Sequence, residues 1–180
     1  PLSLLFLILI AIVSAPLAQA QQAHWEALNK QLADMYQNSR FQEALPIAQE
    51  ALQVAETTFG QNHFNVASSA NNLAEIYRML GRYDDAKPLY QRAMKVAEGT
   101  MGPENTLIAA AQDNLGELER VHGNYAAAEP LYQQAIRLRE SLLGAEHPDL
   151  ALALNHLAML YSVQNRPADA EPLYQRVLAI

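Results

Sequence analysis
The sequence predicts an all-α solenoid of about four stacked helical hairpins, and three observations carry that prediction. First, glycines recur at a fixed spacing: Gly60, Gly102 and Gly144 lie 42 residues apart. Leu73, Leu115 and Leu157 keep the same spacing, as do Tyr90, Tyr132 and Tyr174. A fixed period of this size marks stacked supersecondary units. Second, each period holds two stretches with helical spacing. Leu73, Ile76, Tyr77 and Leu80 fall at i, i+3, i+4 and i+7, and Ala86, Leu89, Tyr90, Ala93 and Val96 form an opposing stripe. Third, only seven glycines occur among 180 residues, and most stand at breaks of the pattern.

Taken in order, residues 1–20 read as a targeting segment. An apolar run from Leu2 to Val13 is followed by Pro16 and the small-residue triplet Ala18-Gln19-Ala20. This matches the hydrophobic region and cleavage site of a secretory leader, with the cut expected after Ala20 and the basic leading region absent. Pro16 is expected to end the leader helix. The rival reading is a membrane anchor over residues 2–15, but the run is shorter than the ~20 apolar residues that span a bilayer. The expected location is therefore extracytoplasmic.

Unit one covers residues 21–60, with helices near His24 to Asn38 and Phe41 to Glu56. Leu32, Ala33 and Tyr36 are aligned with Leu73, Ala74 and Tyr77, which makes its turn one residue shorter than the others. Trp25 lies outside the period and is expected to cover the end of the array. Unit two, residues 61–102, has helices near Asn65 to Leu80 and Tyr83 to Glu98. Unit three, residues 103–144, has helices near Thr106 to His122 and Tyr125 to Ser141. Unit four, residues 145–180, has helices near Pro148 to Gln164 and Pro167 to Ile180, and its second helix is expected to continue. Gly81 and Gly123 suit left-handed helix stops. Pro46, Pro88, Pro130 and Pro172 are placed early in the second helices, where a missing N–H costs least. One hairpin cannot bury its apolar face, so stability is shared along the stack. The tyrosines fall at framework positions and are read as packing.

The strings Leu73-Ala74-x-x-Tyr77 and Gly81-Arg82-Tyr83-x-x-Ala86-x-Pro88-Leu89-Tyr90-x-x-Ala93 resemble the tetratricopeptide repeat. The 42-residue period, Asn71-Asn72-Leu73-Ala74 and the link Gly144-Ala145-Glu146-His147-Pro148 resemble its kinesin light chain subtype. The resemblance covers about residues 26–180. It implies a right-handed superhelix whose concave surface, lined by the first helices, binds peptides or partner proteins. Unit three departs from the pattern with Gly116 in mid-helix and Glu119 where tyrosine is expected. Unit four has Asn165 and Pro167 in place of Gly and Tyr.

The groove is expected to be formed by Ser68, Asn71, Glu75 and Arg78 of unit two and Asp113, Glu117 and Arg120 of unit three. Unit one adds Lys30, Asp34 and Gln37, and unit four adds Leu152, Asn155, Met159 and Ser162. Gln31, Asn72, Asn114 and His156 are adjacent polar positions. Amides can donate to and accept from a peptide backbone, and Arg78 and Arg120 could hold a carboxylate through paired bonds. The competing account is a solvated face with Glu and Arg paired along each helix. Some family members grip a C-terminal carboxylate with Lys, Arg and Asn. Here Lys30 and Asn72 match, but Asp34, Ala110 and Asn114 do not, so that activity is not expected.

No catalytic residue, cofactor or metal site is predicted. His63 and His147 occupy equivalent positions and are read as capping or turn residues; His24, His122 and His156 belong to different units. Neither a zinc-protease His pair nor a phosphate loop or nucleophile elbow occurs. The chain has no cysteine, which excludes disulfides and thiolate ligands. Its net charge of −7 gives no reason to expect nucleic acid binding. The expected function is an exported, non-enzymatic scaffold for a peptide or protein partner. The alternatives are the recognition portion of a larger enzyme or signalling protein, and self-association through an apolar edge at Leu173, Val177 and Ile180.

Overall fold
The computed structural model describes the backbone of residues 2–180 and the side chains from Leu17 onward. The side chains of the apolar leader run, and the role assigned to them, lie outside the described residues. Among the described residues eight helices follow one another: α1 (Leu2–Gln37), α2 (Phe41–Phe59), α3 (Phe64–Met79), α4 (Tyr83–Met101), α5 (Thr106–Val121), α6 (Tyr125–Leu143), α7 (Pro148–Val163) and α8 (Pro167–Ala179). They pair as α1/α2, α3/α4, α5/α6 and α7/α8, and each hairpin packs on the next. No strand occurs among the described residues. α1 is far longer than expected and runs without a break past Pro16 and through Ala18–Ala20 into unit one. The residues after Pro16 are mostly Ala and Gln, good helix formers that carry the helix onward.

All four hairpin turns have the same length, which corrects the shorter turn expected in unit one. Three residues separate the helices each time, with the middle one at positive φ: Ser39 (55°), Gly81 (72°), Gly123 (77°) and Asn165 (57°). The bonds repeat too. Arg40 N–H donates to Met35 O at 2.8 Å, as Arg82 N–H does to Tyr77 O at 2.8 Å. Met35, not Tyr36, is therefore the counterpart of Tyr77, and Leu32 that of Ala74.

The prolines also lie deeper than expected, at the sixth residue of each second helix. Each removes a bond to the carbonyl four residues earlier. Gln42, Asp84, Ala126 and Ala168, which carry those carbonyls, are exposed, so water can satisfy them. Helix starts are capped as read: His63 Nδ1 accepts from Asn65 N–H at 3.1 Å and His147 Nδ1 from Asp149 N–H at 3.2 Å. In unit three Asn105 Oδ1 takes this role for Ile108 N–H at 3.0 Å.

Burial explains the repeat. Tyr90 and Tyr132 have no exposed surface. A Cβ on Gly116 would come within 2.8 Å of the Tyr132 ring, so the mid-helix glycine makes room for that ring. Val66, Leu73 and Ile76 in unit two are buried against the preceding hairpin, as are Leu150, Leu157 and Leu160 in unit four. At the same register unit one has His24, Gln31 and Asp34, all exposed. The leading face of the array is thus polar. Trp25 packs edge-on to Phe59, with ring centroids 5.6 Å apart, and its indole N–H donates to Ser69 Oγ at 2.8 Å. At the other end, Leu173, Val177 and Ile180 pack inward against the last core, which corrects the expected apolar edge. The exposed apolar residue of α8 is Leu178, at 87% exposure.

Candidate interaction groove
First helices approach one another closely along the stack, α3 to α5 and α5 to α7, whereas second helices of successive units stand further apart and meet through long side chains, Arg92 with Glu56 and Arg176 with Glu140, each at 2.6 Å. The first helices therefore form the inner side of the array. α1 stands off from α3, and a cleft of about 360 Å³ opens between them. Asn29, Leu32, Ala33, Tyr36 and Gln37 line it from α1; Asn71, Asn72, Glu75 and Ile76 line it from α3.

The unit one register decides who stands in this cleft. Asn29, Ala33 and Tyr36 face it; Lys30 and Asp34, expected on the groove, do not line this cleft. Both are exposed, and Asp34 lies 3.9 Å from Arg40. Asn72 Nδ2 donates to Asn29 Oδ1 at 3.2 Å, tying the two walls. Asn71 presents its amide to the cleft with Oδ1 buried and unpartnered among the described residues. Ser68 is half-buried one turn away.

The charged residues expected to grip a ligand grip each other. Arg78 Nε donates to Glu75 Oε2 at 3.0 Å and its Nη2 to Oε1, a bidentate pair. Tyr90 OH donates to the same carboxylate at 2.6 Å, and Tyr36 OH reaches it from α1 at 2.8 Å. Burial opposes the charge on Glu75, yet Arg78 and the two hydroxyls outweigh it and hold the carboxyl below its ordinary range. The bond from Glu75 raises Arg78 further above its already high value. Burial, reinforced by Glu75, pushes the Tyr36 phenol up to about 12. Unit three repeats the device: Arg120 is bidentate on Glu117 at 2.8 and 2.6 Å, and Tyr132 OH donates to Glu117 at 2.9 Å. Burial again opposes, and Arg120 and Tyr132 again prevail, holding Glu117 low.

Asp113, expected on the groove wall, is 2% exposed and belongs to the interior. It sits 3.1 Å from His156 Nδ1 and 3.5 Å from Arg139 Nη2, because α5, α6 and α7 converge there. Asn114 and Asn155 are half-buried on the inner side, and Asn155 Nδ2 points to Met159 Sδ at 3.5 Å. In unit four Met159 and Ser162 replace the Glu–Arg pair, and Ser162 Oγ lies 3.3 Å from Tyr174 OH. Leu152, Met159 and Val163 are exposed on α7.

The sequence reading missed Asn29 and Tyr36, and it missed the tyrosine hydroxyls that lock the Glu–Arg pairs. The 42-residue spacing from Pro46 to Pro88 held the signal for the first two. Tyr90 and Tyr132, fifteen residues after Glu75 and Glu117, held it for the third. Among the described residues no group of three or more His, Asp or Glu side chains could hold a metal ion. No helix there is long and apolar enough to cross a membrane.

Comparison with known proteins agrees with this architecture. No curated protein matches the sequence. Among solved structures, BtubC (BKLC) from P. vanneervenii superposes with a TM-score of 0.75 at 22% identity, covering 86% of this chain. This chain spans 62% of the length of that protein. A kinesin light chain candidate from Podosopora anserina with nearly identical TPR-like repeats gives 0.71 at 22% identity, covering 90% of this chain and 75% of its own. The MamA protein gives 0.59 at 18% identity, covering 89% and 75%. The shared fold is thus the helical array seen in kinesin light chain-type repeats. Tetratricopeptide repeat models match residues 25–99 and 107–180, and a second such model matches residues 71–142. The chain belongs to the tetratricopeptide repeat family.

Proposed function
We propose that this array is an exported, non-enzymatic interaction scaffold that holds a peptide or protein partner on the side lined by α1, α3, α5 and α7. The cleft between α1 and α3 carries the reading: about 360 Å³ of space on the inner side, with the amides of Asn29, Asn71 and Asn72 around Leu32 and Ile76. Such a cleft accepts a side chain while the amides meet a peptide backbone. Export rests on the apolar run and small-residue triplet before Gln21. Partner capture by the folded chain tests the site. Ala33→Trp fills the cleft, and Asn71→Ala with Asn72→Ala strips its amides; either change is expected to abolish capture. Unchanged capture by both variants would remove the groove from the proposal. Mass analysis of the N-terminus from a secreting host tests export, with cleavage after Ala20 expected.

A second reading, a recognition portion within a larger assembly, is favoured by the outer face of α8. Leu178 is 87% exposed, whereas Leu52 and Ile136, at the same register, are buried by the next hairpin. Gln175 donates to Glu171 at 3.2 Å as Gln133 does to Glu129 at 3.3 Å, and Glu129 also meets the following unit. The α8 face thus has the makeup of an interior junction, open to another hairpin or to a second copy. Sedimentation of wild type against Leu178→Asp separates these: loss of a dimer supports the second copy, and a monomer in both cases removes it.

A further inference from the structure
We infer that the inner groove selects an apolar, charge-poor peptide segment of its partner, seated chiefly on α7; this rests on the groove reading above. Two observations carry it. The first is charge. Glu75 with Arg78 and Glu117 with Arg120 close on each other in bidentate pairs, and tyrosine hydroxyls occupy the carboxylates further. Asp113, a third acid expected on this side, is buried on Arg139 and His156. A ligand charge would have to displace these partners, and a buried carboxylate left unpaired is costly. The groove therefore offers little net charge for a charged ligand to meet.

The second is the placement of exposed apolar side chains. On α7, Leu152 is 54% exposed, Met159 39% and Val163 51%, at i, i+7 and i+11 on one face. Their counterparts on α3 are Ser68, Glu75 and Met79, and on α5 Ala110, Glu117 and Val121. Met79 and Val121 are themselves 39% and 44% exposed, so one apolar residue per unit repeats at the end of each of these three helices. Single exposed apolar residues are ordinary, but a stripe joined to a ladder on one concave side is a recognition surface. The face thus grows more apolar from α3 to α7, where Met159 and Ser162 replace the Glu–Arg pair.

Panning a random dodecapeptide library on the folded chain tests this. The selected peptides are expected to be rich in Leu, Met and aromatic residues and poor in charge, with binding nearly independent of salt. Met159→Glu and Leu152→Glu, both at exposed positions, are expected to weaken them about tenfold or more, a loss of roughly 1.4 kcal/mol. Acidic or basic peptides whose binding falls with salt, yet is still lost in the groove variants, would overturn the apolar selectivity and leave the groove standing. Peptides that bind Met159→Glu and Ala33→Trp as well as wild type would overturn the groove itself. Thermal melts of each variant confirm that the fold is kept.

Discussion

The junction between α6 and α7 and the junction between α4 and α5 fill the same slot with different chemistry. In the first, Arg166 lies over the Tyr161 ring at 4.2 Å, and Tyr161 OH donates to Glu129 at 2.9 Å. Arg166 Nη1 also meets Glu129 at 2.9 Å. In the second, Glu119 stands in the tyrosine position, Lys87 in that of Glu129 and Asn124 in that of Arg166. Lys87 Nζ donates to Glu119 at 2.6 Å and Asn124 Nδ2 at 2.8 Å. Glu119 is 8% exposed, and those two donors hold its carboxyl below the ordinary range. The departure from the repeat pattern is thus three coordinated changes, one of them in the preceding unit. What the slot requires is a complementary set, not a tyrosine.

Unit three differs in its interior as well. The apolar core divides there: Leu115 and Leu118 pack with units one and two, while Leu150 to Tyr161 pack with α6 and α8. Between them lie Gln112, Asp113 and Arg139, all buried. Breaking this polar joint should give the largest effect. Asp113→Leu leaves the Arg139 guanidinium buried without its carboxylate, and a loss of about 3–5 kcal/mol is expected in chemical denaturation. Asp113→Leu with Arg139→Met removes both charges and should recover most of that loss. A double variant as unstable as the single one would show that the joint matters for shape rather than for charge.

The junctions themselves can be exchanged, with a smaller effect. Lys87→Glu faces Glu119 with a like charge and removes its donor. A loss of roughly 1–3 kcal/mol is expected, set by the buried carboxylate rather than by the half-exposed lysine. Adding Glu119→Tyr and Asn124→Arg rebuilds the α6/α7 arrangement at the α4/α5 junction. The triple variant should melt close to wild type, well above the sum of the separate changes, because residues in contact are not additive. Additive losses would mean that the two junctions are not equivalent.

How much of this was legible follows the same division. The helices, their boundaries within a few residues apart from the start of α1, and the buried Tyr90 and Tyr132 came from periodicity, because packing repeats wherever the period does. Unit one was aligned one residue out. Leu32-Ala33-x-x-Tyr36 imitates Leu73-Ala74-x-x-Tyr77, and Ser39 conceals a left-handed turn that glycine marks in units two and three. The apolar set Leu28, Leu32 and Met35 is the true stripe. Pairing across units was illegible for a different reason: Lys87 and Glu119 are 32 residues apart and neither fits the repeat pattern. Only the stacking geometry brings them together.

The corrected register also sets apart the two Glu–Arg pairs, since Glu75 has Tyr36 as an added donor and Glu117 has none from a preceding unit. This difference should appear at alkaline pH, and its effect should be the smallest. Burial and Glu75 raise the Tyr36 phenol to about 12 in the folded chain, against about 10 when unfolded. The folded state holds this proton more tightly, so the contribution is complete below about pH 10 and is lost as pH rises toward 12. Tyr90, Tyr132 and Tyr161 are raised as well and add to the same decline. Tyr36→Phe should therefore lower the denaturation midpoint slightly at pH 8 and flatten its fall between pH 10 and 12. Absorbance of tyrosinate should show one fewer late-titrating group. An unchanged alkaline limb would mean that the hydroxyl bridging α1 to α3 is not held in solution, and the cleft between those helices would then be wider than 360 Å³.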